Sequence, residues 1–149
     1  SIDFGWVGDI DSVNIALLDR WIGQGLTPVV APLSHDGTGQ LLNTNADTIA
    51  QEIAQAMSQH FAVNLIFSFE KNGVLLDIND ESSSIPVLDL SYYQRLKSRK
   101  IITAGMIPKL DNAFAALQKG VRQVAIGSAE HLLEMAAGRS GTLITLTDD

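Results

Sequence analysis

The apolar runs of strand length in this chain do not alternate with polar residues. Residues 63–69, 121–126 and 142–147 read as hydrophobic runs, without the every-second-residue pattern of a strand that has one wet face. Between them lie segments of helical period. Val13, Leu17 and Trp21 form one stripe, with Ala16 and Leu18 beside it and Gly25 where a C-terminal cap belongs. Ile49, Ile53 and Met57 form a second, flanked by Ala50 and Ala54, and Leu110, Phe114 and Leu117 a third within residues 108–119. Residues 91–97 and 129–137 are shorter helices. Apolar strands interleaved with helices predict an α/β fold: a three-layer sandwich whose mainly parallel sheet is covered by helices on both faces.

Other segments complete the order. Residues 28–33 read as a further buried strand, followed by turn chemistry at His35-Asp36-Gly37-Thr38-Gly39 and an extended return over 40–43, which together predict a hairpin. Residues 74–77 read as extended, and the serine-rich 77–84 as a mobile surface loop. No repeat or internal linker divides the chain, so residues 1–149 are expected to form a single domain. The opening at Ser1, which enters a helix with no strand of its own, reads as the start of a fragment.

Composition narrows the chemistry. With no cysteine, the chain has no disulfide, no thiolate metal site and no cysteine nucleophile. A net charge of −7 disfavours nucleic acid and anionic membranes as partners. Lacking a membrane-length apolar run or a leader pattern, the chain is assigned to the cytoplasm. His35, His60 and His131 show no metal-ligand spacing, Ser128 has no nucleophile-elbow context, and neither a Walker loop nor a dinucleotide fingerprint occurs. Any anionic ligand must therefore be held by a few cations and backbone amides.

In such sheets ligands bind beyond the carboxyl ends of strands, which directs attention to three junctions. Asn43-Thr44-Asn45-Ala46-Asp47 opens a helix. Asn45 fits an N-cap and Asp47 the helix dipole, but capping gives Asn43 no role, so function and capping both fit. In Gly105-Met106-Ile107-Pro108-Lys109, Pro108 suits the first helical position, Gly105 permits close backbone approach, and the amides form an anion site. Lys109 opposes the dipole of its own helix, as a phosphate partner would justify. Glu70-Lys71-Asn72-Gly73, on residue types alone, is a hairpin turn.

These two signatures, Leu42-Asn43-Thr44-Asn45-Ala46-Asp47 and Gly105-Met106-Ile107-Pro108-Lys109, resemble those of the N-acetylglutamate kinases in the amino-acid kinase family. Val7-Gly8-Asp9, the run 28–33 leading into His35-Asp36-Gly37, and Gly141-Thr142-Leu143-Ile144 are similar in the same order, over nearly the whole chain. The wording around Phe69-Glu70-Lys71 resembles the Bacteroidetes-type branch, some of whose members are thought to prefer an N-succinyl substrate.

The resemblance implies that Lys109 and Asp47 are catalytic, with Lys109 stabilising the transferring phosphoryl group and Asp47 organising the lysines. It implies that Asn43 binds the N-acylglutamate and that Asn45 positions the cluster. Glu70, Lys71, Asn72, Gly73, Val74, Leu75, Ile101, Ile102, Thr103, Gly105 and Met106 would form the ATP pocket, with Mg2+ held on the ATP phosphates and no protein metal site. Glu70-Lys71-Asn72 departs from the aspartate and small apolar residue more usual in the family. The family's first half, with a Lys-x-Gly-Gly motif, a glycine-rich loop and a substrate-binding arginine, is not in this sequence.

The function so implied is ATP-dependent phosphorylation of the side-chain carboxylate of N-acetyl-L-glutamate or N-succinyl-L-glutamate in arginine biosynthesis. This chain would supply the C-terminal, nucleotide-binding part of a homo-oligomeric parent enzyme. Another member of the same family, or a non-catalytic nucleotide-binding regulatory module, is the alternative.

Overall fold

The computed structural model describes residues 5–102 and 104–146. Helix α1 (Ile15–Gly23) is capped by Asn14, whose side chain accepts from the Leu17 amide, and ends where Gly25 takes a positive φ of 77°. The strands β1 (Leu33–His35) and β2 (Leu41–Asn43) form the expected antiparallel hairpin around the Asp36 turn. Helix α2 (Ala46–Ser58) leads into β3 (Asn64–Phe69). After β4 (Val87–Asp89) come α3 (Leu90–Ser98), α4 (Met106–Gln118), β5 (Gln123–Ser128), α5 (Leu132–Ala136) and β6 (Thr142–Thr145).

The main sheet has the order β3-β5-β6-β4. β3 pairs with β5 and β4 with β6 in parallel, whereas β5 and β6 are antiparallel, so the sheet is mixed with parallel pairings in the majority. Val124 and Ile126 of β5 join Leu110, Ala113 and Phe114 of α4, Ala54 of α2 and Tyr93 and Leu96 of α3 in one core. Alternation along the strand turns Ala125 and Gly127 to the opposite face, where Met135 of α5 packs on Gly127. A Cβ on Gly127 would stand 2.7 Å from the Met135 sulfur, so the absence of a side chain there sets how closely α5 packs. Helices thus cover both faces, as the sequence predicts. No helix among the described residues is long and apolar enough to cross a membrane.

Several boundaries differ from the sequence reading. The run 28–33 is not a buried strand. Only Leu33 enters β1, and Val29 is 95% exposed. Pro28 and Pro32 bring no N–H to a ladder, and residues 28–32 belong to no strand. Residues 74–77 contribute a single bridge, Leu75 to Ser84, instead of a strand. The 77–84 segment is organised: Asp80 caps a 3-10 turn at Glu81–Ser83, and the Ser83 hydroxyl donates to the carbonyls of Asp77 and Asp80. Residues 129–137 divide into a 3-10 turn and the short α5. Thr147, placed by sequence in the last strand, lies outside the described residues.

Candidate functional site

Helices α2 and α4 run side by side in the same direction. Their first residues approach through Lys109 and Asp47, and Gly120, just past α4, lies beside Ser58 at the end of α2. Since α2 feeds β3 and α4 feeds β5, and these strands are parallel, both helix N-termini gather at the carboxyl edge of the sheet. This is the crevice where open α/β sheets hold ligands, and the first turns of two helices gather there.

Lys109 Nζ lies 2.6 Å from Asp47 Oδ2, an ion pair across 62 positions of sequence. Each side chain retains 27% exposure, so the pair is half-sheltered yet open to a solute. Asp47 stands in the first turn of α2, where a carboxylate suits the dipole. Lys109 stands in the first turn of α4, where a cation does not, and Asp47 supplies the compensating charge. The second signature differs in register from its sequence reading. α4 begins at Met106 with Gly105 as its cap, which puts Pro108 third in the helix instead of first. It remains in the first turn, where its missing N–H costs no helical hydrogen bond. Gly105 offers no side-chain cap and has open space where a Cβ would stand.

The first signature divides by face. Asn45 caps α2, its Oδ1 accepting from the Thr48 amide at 3.1 Å. Asn43 is exposed, and its side chain has no hydrogen-bond partner among the described residues. Its backbone is pinned, donating to the Trp6 carbonyl at 2.8 Å and accepting from the Gly8 amide at 3.0 Å. Between them Thr44 turns inward, 4% exposed. Its hydroxyl lies 2.7 Å from Ser34 Oγ and donates to the Gly8 carbonyl at 3.0 Å. Sequence reasoning assigned Thr44 nothing. The available signal was its alternation with two outward asparagines, which makes it a polar residue in an inward position.

The residues assigned to a nucleotide are only partly gathered. Lys71, Gly73, Val74 and Leu75 line a small cavity of about 30 Å³ together with Ile101, Ile102 and Met106. Phe69, at the end of β3, and Ile78 complete it. Glu70, Asn72 and Gly105 are not on its wall, and Thr103 lies outside the described residues. Lys71 is paired with Glu81 at 2.5 Å, which ties the segment to the 3-10 turn. Glu70-Lys71-Asn72-Gly73 is not a hairpin turn, since no strand of the main sheet returns beside β3 from it. Gly73 is needed for close approach instead: a Cβ there would lie 2.7 Å from both Ser84 Oγ and Thr142 Oγ1.

A larger cavity of about 410 Å³ lies between residues 9–13, the β1 turn and Ile49 and Ile53 of α2, where the sequence suggested no site. On its rim Asp36 closes an Asx turn. Hydrogen bonds from the Thr38 hydroxyl, then from the Thr38 amide, hold its carboxyl below the ordinary carboxylate range. His35 Nδ1 accepts from the Gly37 amide at 3.0 Å.

A model of the amino acid kinase family matches residues 1–128. Acetylglutamate kinases from Cytophaga hutchinsonii and Parabacteroides distasonis are each 52% identical, over 90% and 88% of this chain respectively and 51% of their own lengths. The chain thus spans about half the length of the curated relatives it matches. The crystal structure of smu.665 from Streptococcus mutans UA159 superposes with a TM-score of 0.77 at 30% identity, over 97% of this chain and 53% of that one. Carbamate kinase from Giardia lamblia bound to AMP-PNP superposes at 0.71 and 14% identity, over 93% and 51% of the two chains, a likeness of fold alone. By the extent of that family match, the chain belongs to the amino acid kinase family.

Proposed function

We propose that this chain is the nucleotide-binding part of an N-acylglutamate 5-kinase of arginine biosynthesis. The enzyme would move the γ-phosphoryl group of ATP to the side-chain carboxylate of N-acetyl-L-glutamate or N-succinyl-L-glutamate. A carboxylate oxygen forms the new bond to Pγ while the bond from Pγ to the β–γ bridging oxygen breaks, leaving an acyl phosphate and ADP. The observation that carries the reading is the Lys109–Asp47 pair at two converging helix N-termini. The acetylglutamate kinases at 52% identity supply the substrate class.

Phosphoryl transfer asks a protein for positioning and positive charge more than for covalent help. The Lys109 ammonium neutralises charge on the equatorial phosphoryl oxygens, and the open amides of α2 and α4 add fixed partial charges. Asp47 holds the ammonium in place while it waits, so little reorganisation accompanies transfer. Asn43, with its backbone pinned and its amide free, donates to and accepts from the acylglutamate. Among the described residues no group of three or more His, Cys, Asp or Glu side chains forms a metal cage. Magnesium carried on the ATP phosphates, neutralising charge there, suits a site built of cations and amides. The cavity of about 30 Å³ at Gly73–Leu75 and Ile101 is far below the roughly 300 Å³ of a ligand pocket, so binding a nucleoside there requires its walls to part.

Lys109→Ala in the parent enzyme tests this. The expected result is a loss of roughly 10²–10³-fold in kcat with a much smaller change in the KM for ATP. Undiminished turnover would sink the reading. Residues 1–149 alone should bind nucleotide weakly and release no ADP when acylglutamate is present.

A further inference from the structure

The first turn of α4 carries Lys109 yet has no side-chain cap of its own, since Gly105 precedes it and its first turn has no acidic residue. Helix ends of this kind fray unless something outside holds them. Here α3 reaches across. The Tyr93 hydroxyl lies 2.7 Å from Asp111 Oδ1 and 3.4 Å from the Ile107 carbonyl, so its two partners stand two residues before and two after Lys109. Tyr93 is itself fixed: 2% exposed, it stacks on Phe114 with ring centroids 5.2 Å apart. Lys97 Nζ completes the arrangement at 2.9 and 3.0 Å from the two Asp111 oxygens, above the Tyr93 ring.

We propose that Tyr93 and Asp111 are positioning residues, a clasp from α3 that sets the first turn of α4 and through it the place of the Lys109 ammonium. The inference rests on the phosphoryl-transfer reading of Lys109. Core packing alone does not require it, because Phe at position 93 would fill the same space and stack equally well on Phe114. What the hydroxyl adds is a directional tie to the backbone and side chain on either side of Lys109.

The test uses the parent enzyme. Tyr93→Phe keeps the ring and removes the tie. We expect kcat to fall about 10-fold, short of the roughly 10²-fold that a full ångström of misplacement can cost, with the KM for ATP unchanged and the thermal midpoint only slightly lowered. Asp111→Asn should lower kcat alike, with only the small loss of stability that an exposed ion pair brings. In a Lys109→Ala background, Tyr93→Phe should cause no further loss, because the clasp acts through Lys109. Wild-type kcat in both Tyr93→Phe and Asp111→Asn would overturn the proposal. So would a further 10-fold loss on adding Tyr93→Phe to Lys109→Ala, or a kcat loss that merely follows a lowered midpoint. If Lys109→Ala alone leaves kcat intact, the phosphoryl-transfer reading fails first and the clasp with it.

Discussion

The Thr142 hydroxyl accepts a hydrogen bond from the Val74 amide at 2.8 Å and joins two segments 68 residues apart. The same hydroxyl donates to the Ile85 carbonyl at 2.6 Å, at a position with no exposure at all. It therefore fastens the stretch after β3 and the approach to β4 onto the head of β6. Thr142→Val preserves shape but strips a buried N–H and a buried C=O of this partner. Each such loss costs about 1–3 kcal/mol, so the variant should be less stable by roughly 2–6 kcal/mol. A urea midpoint unchanged from wild type would show that water reaches both groups.

The α3–α4 clasp should leave a mark on the pH dependence of stability. Burial and the Asp111 hydrogen bond push the Tyr93 hydroxyl above its ordinary 10.0. The hydrogen bond to Asp111, then that to Tyr93, raises Lys97 above 10.5. Burial pushes Asp111 upward, but the bonds from Lys97 and Tyr93 outweigh it and hold the carboxyl below 3.8. The signs follow from which state holds the proton more tightly. Asp111 contributes stability above its unfolded value near 3.8, and this is lost as pH falls through the lower folded value. Lys97 and Tyr93 contribute stability below their unfolded values, and this is lost as pH rises through the raised folded ones. Thermal midpoints of wild type and Asp111→Asn should therefore differ by a constant amount between about pH 5 and 9 and converge towards either extreme. Both Lys97 and Asp111 are substantially exposed, so the plateau should be about 1 kcal/mol or less. A difference that grows in acid would contradict the assignment.

Residues close in sequence made part of this legible. The stripes of α2 and α4 and the junctions holding Asp47 and Lys109 follow from local spacing, and a parallel arrangement brings junctions of that type to one edge of a sheet. The run 28–33 misled because its composition is that of a strand, whereas burial depends on neighbours a sequence pattern does not reveal. β4 went unseen because Val87–Asp89 is three residues long and lies between Pro86 and a helix cap, too short to show a period. Thr44 and Thr142 look like ordinary strand threonines, since their partners Gly8 and Val74 are 36 and 68 positions away. The entry of α4 at Met106 was misjudged by two residues because Gly105 bears no capping side chain, which left Pro108 as the only visible signal.

Asn43 and Asn45 can be separated by experiment, although their sequence context treats them alike. Asn45 has a structural task, since its Oδ1 satisfies the Thr48 amide that α2 would otherwise leave open. Asn45→Ala should cost about 1 kcal/mol, and Asn45→Asp, which keeps the acceptor, much less. Asn43 has no such task, because its side chain lacks a partner among the described residues and only its backbone is held, by Trp6 and Gly8. Asn43→Ala should therefore shift stability by no more than about 0.5 kcal/mol. If the amide recognises the acylglutamate, the same variant should raise the KM for that substrate by about 10-fold, the loss of one hydrogen bond to a charged group, and leave the KM for ATP as it was. Equal effects on both KM values would place Asn43 outside the substrate pocket. A stability loss without a kinetic one would give it the capping role that Asn45 already fills.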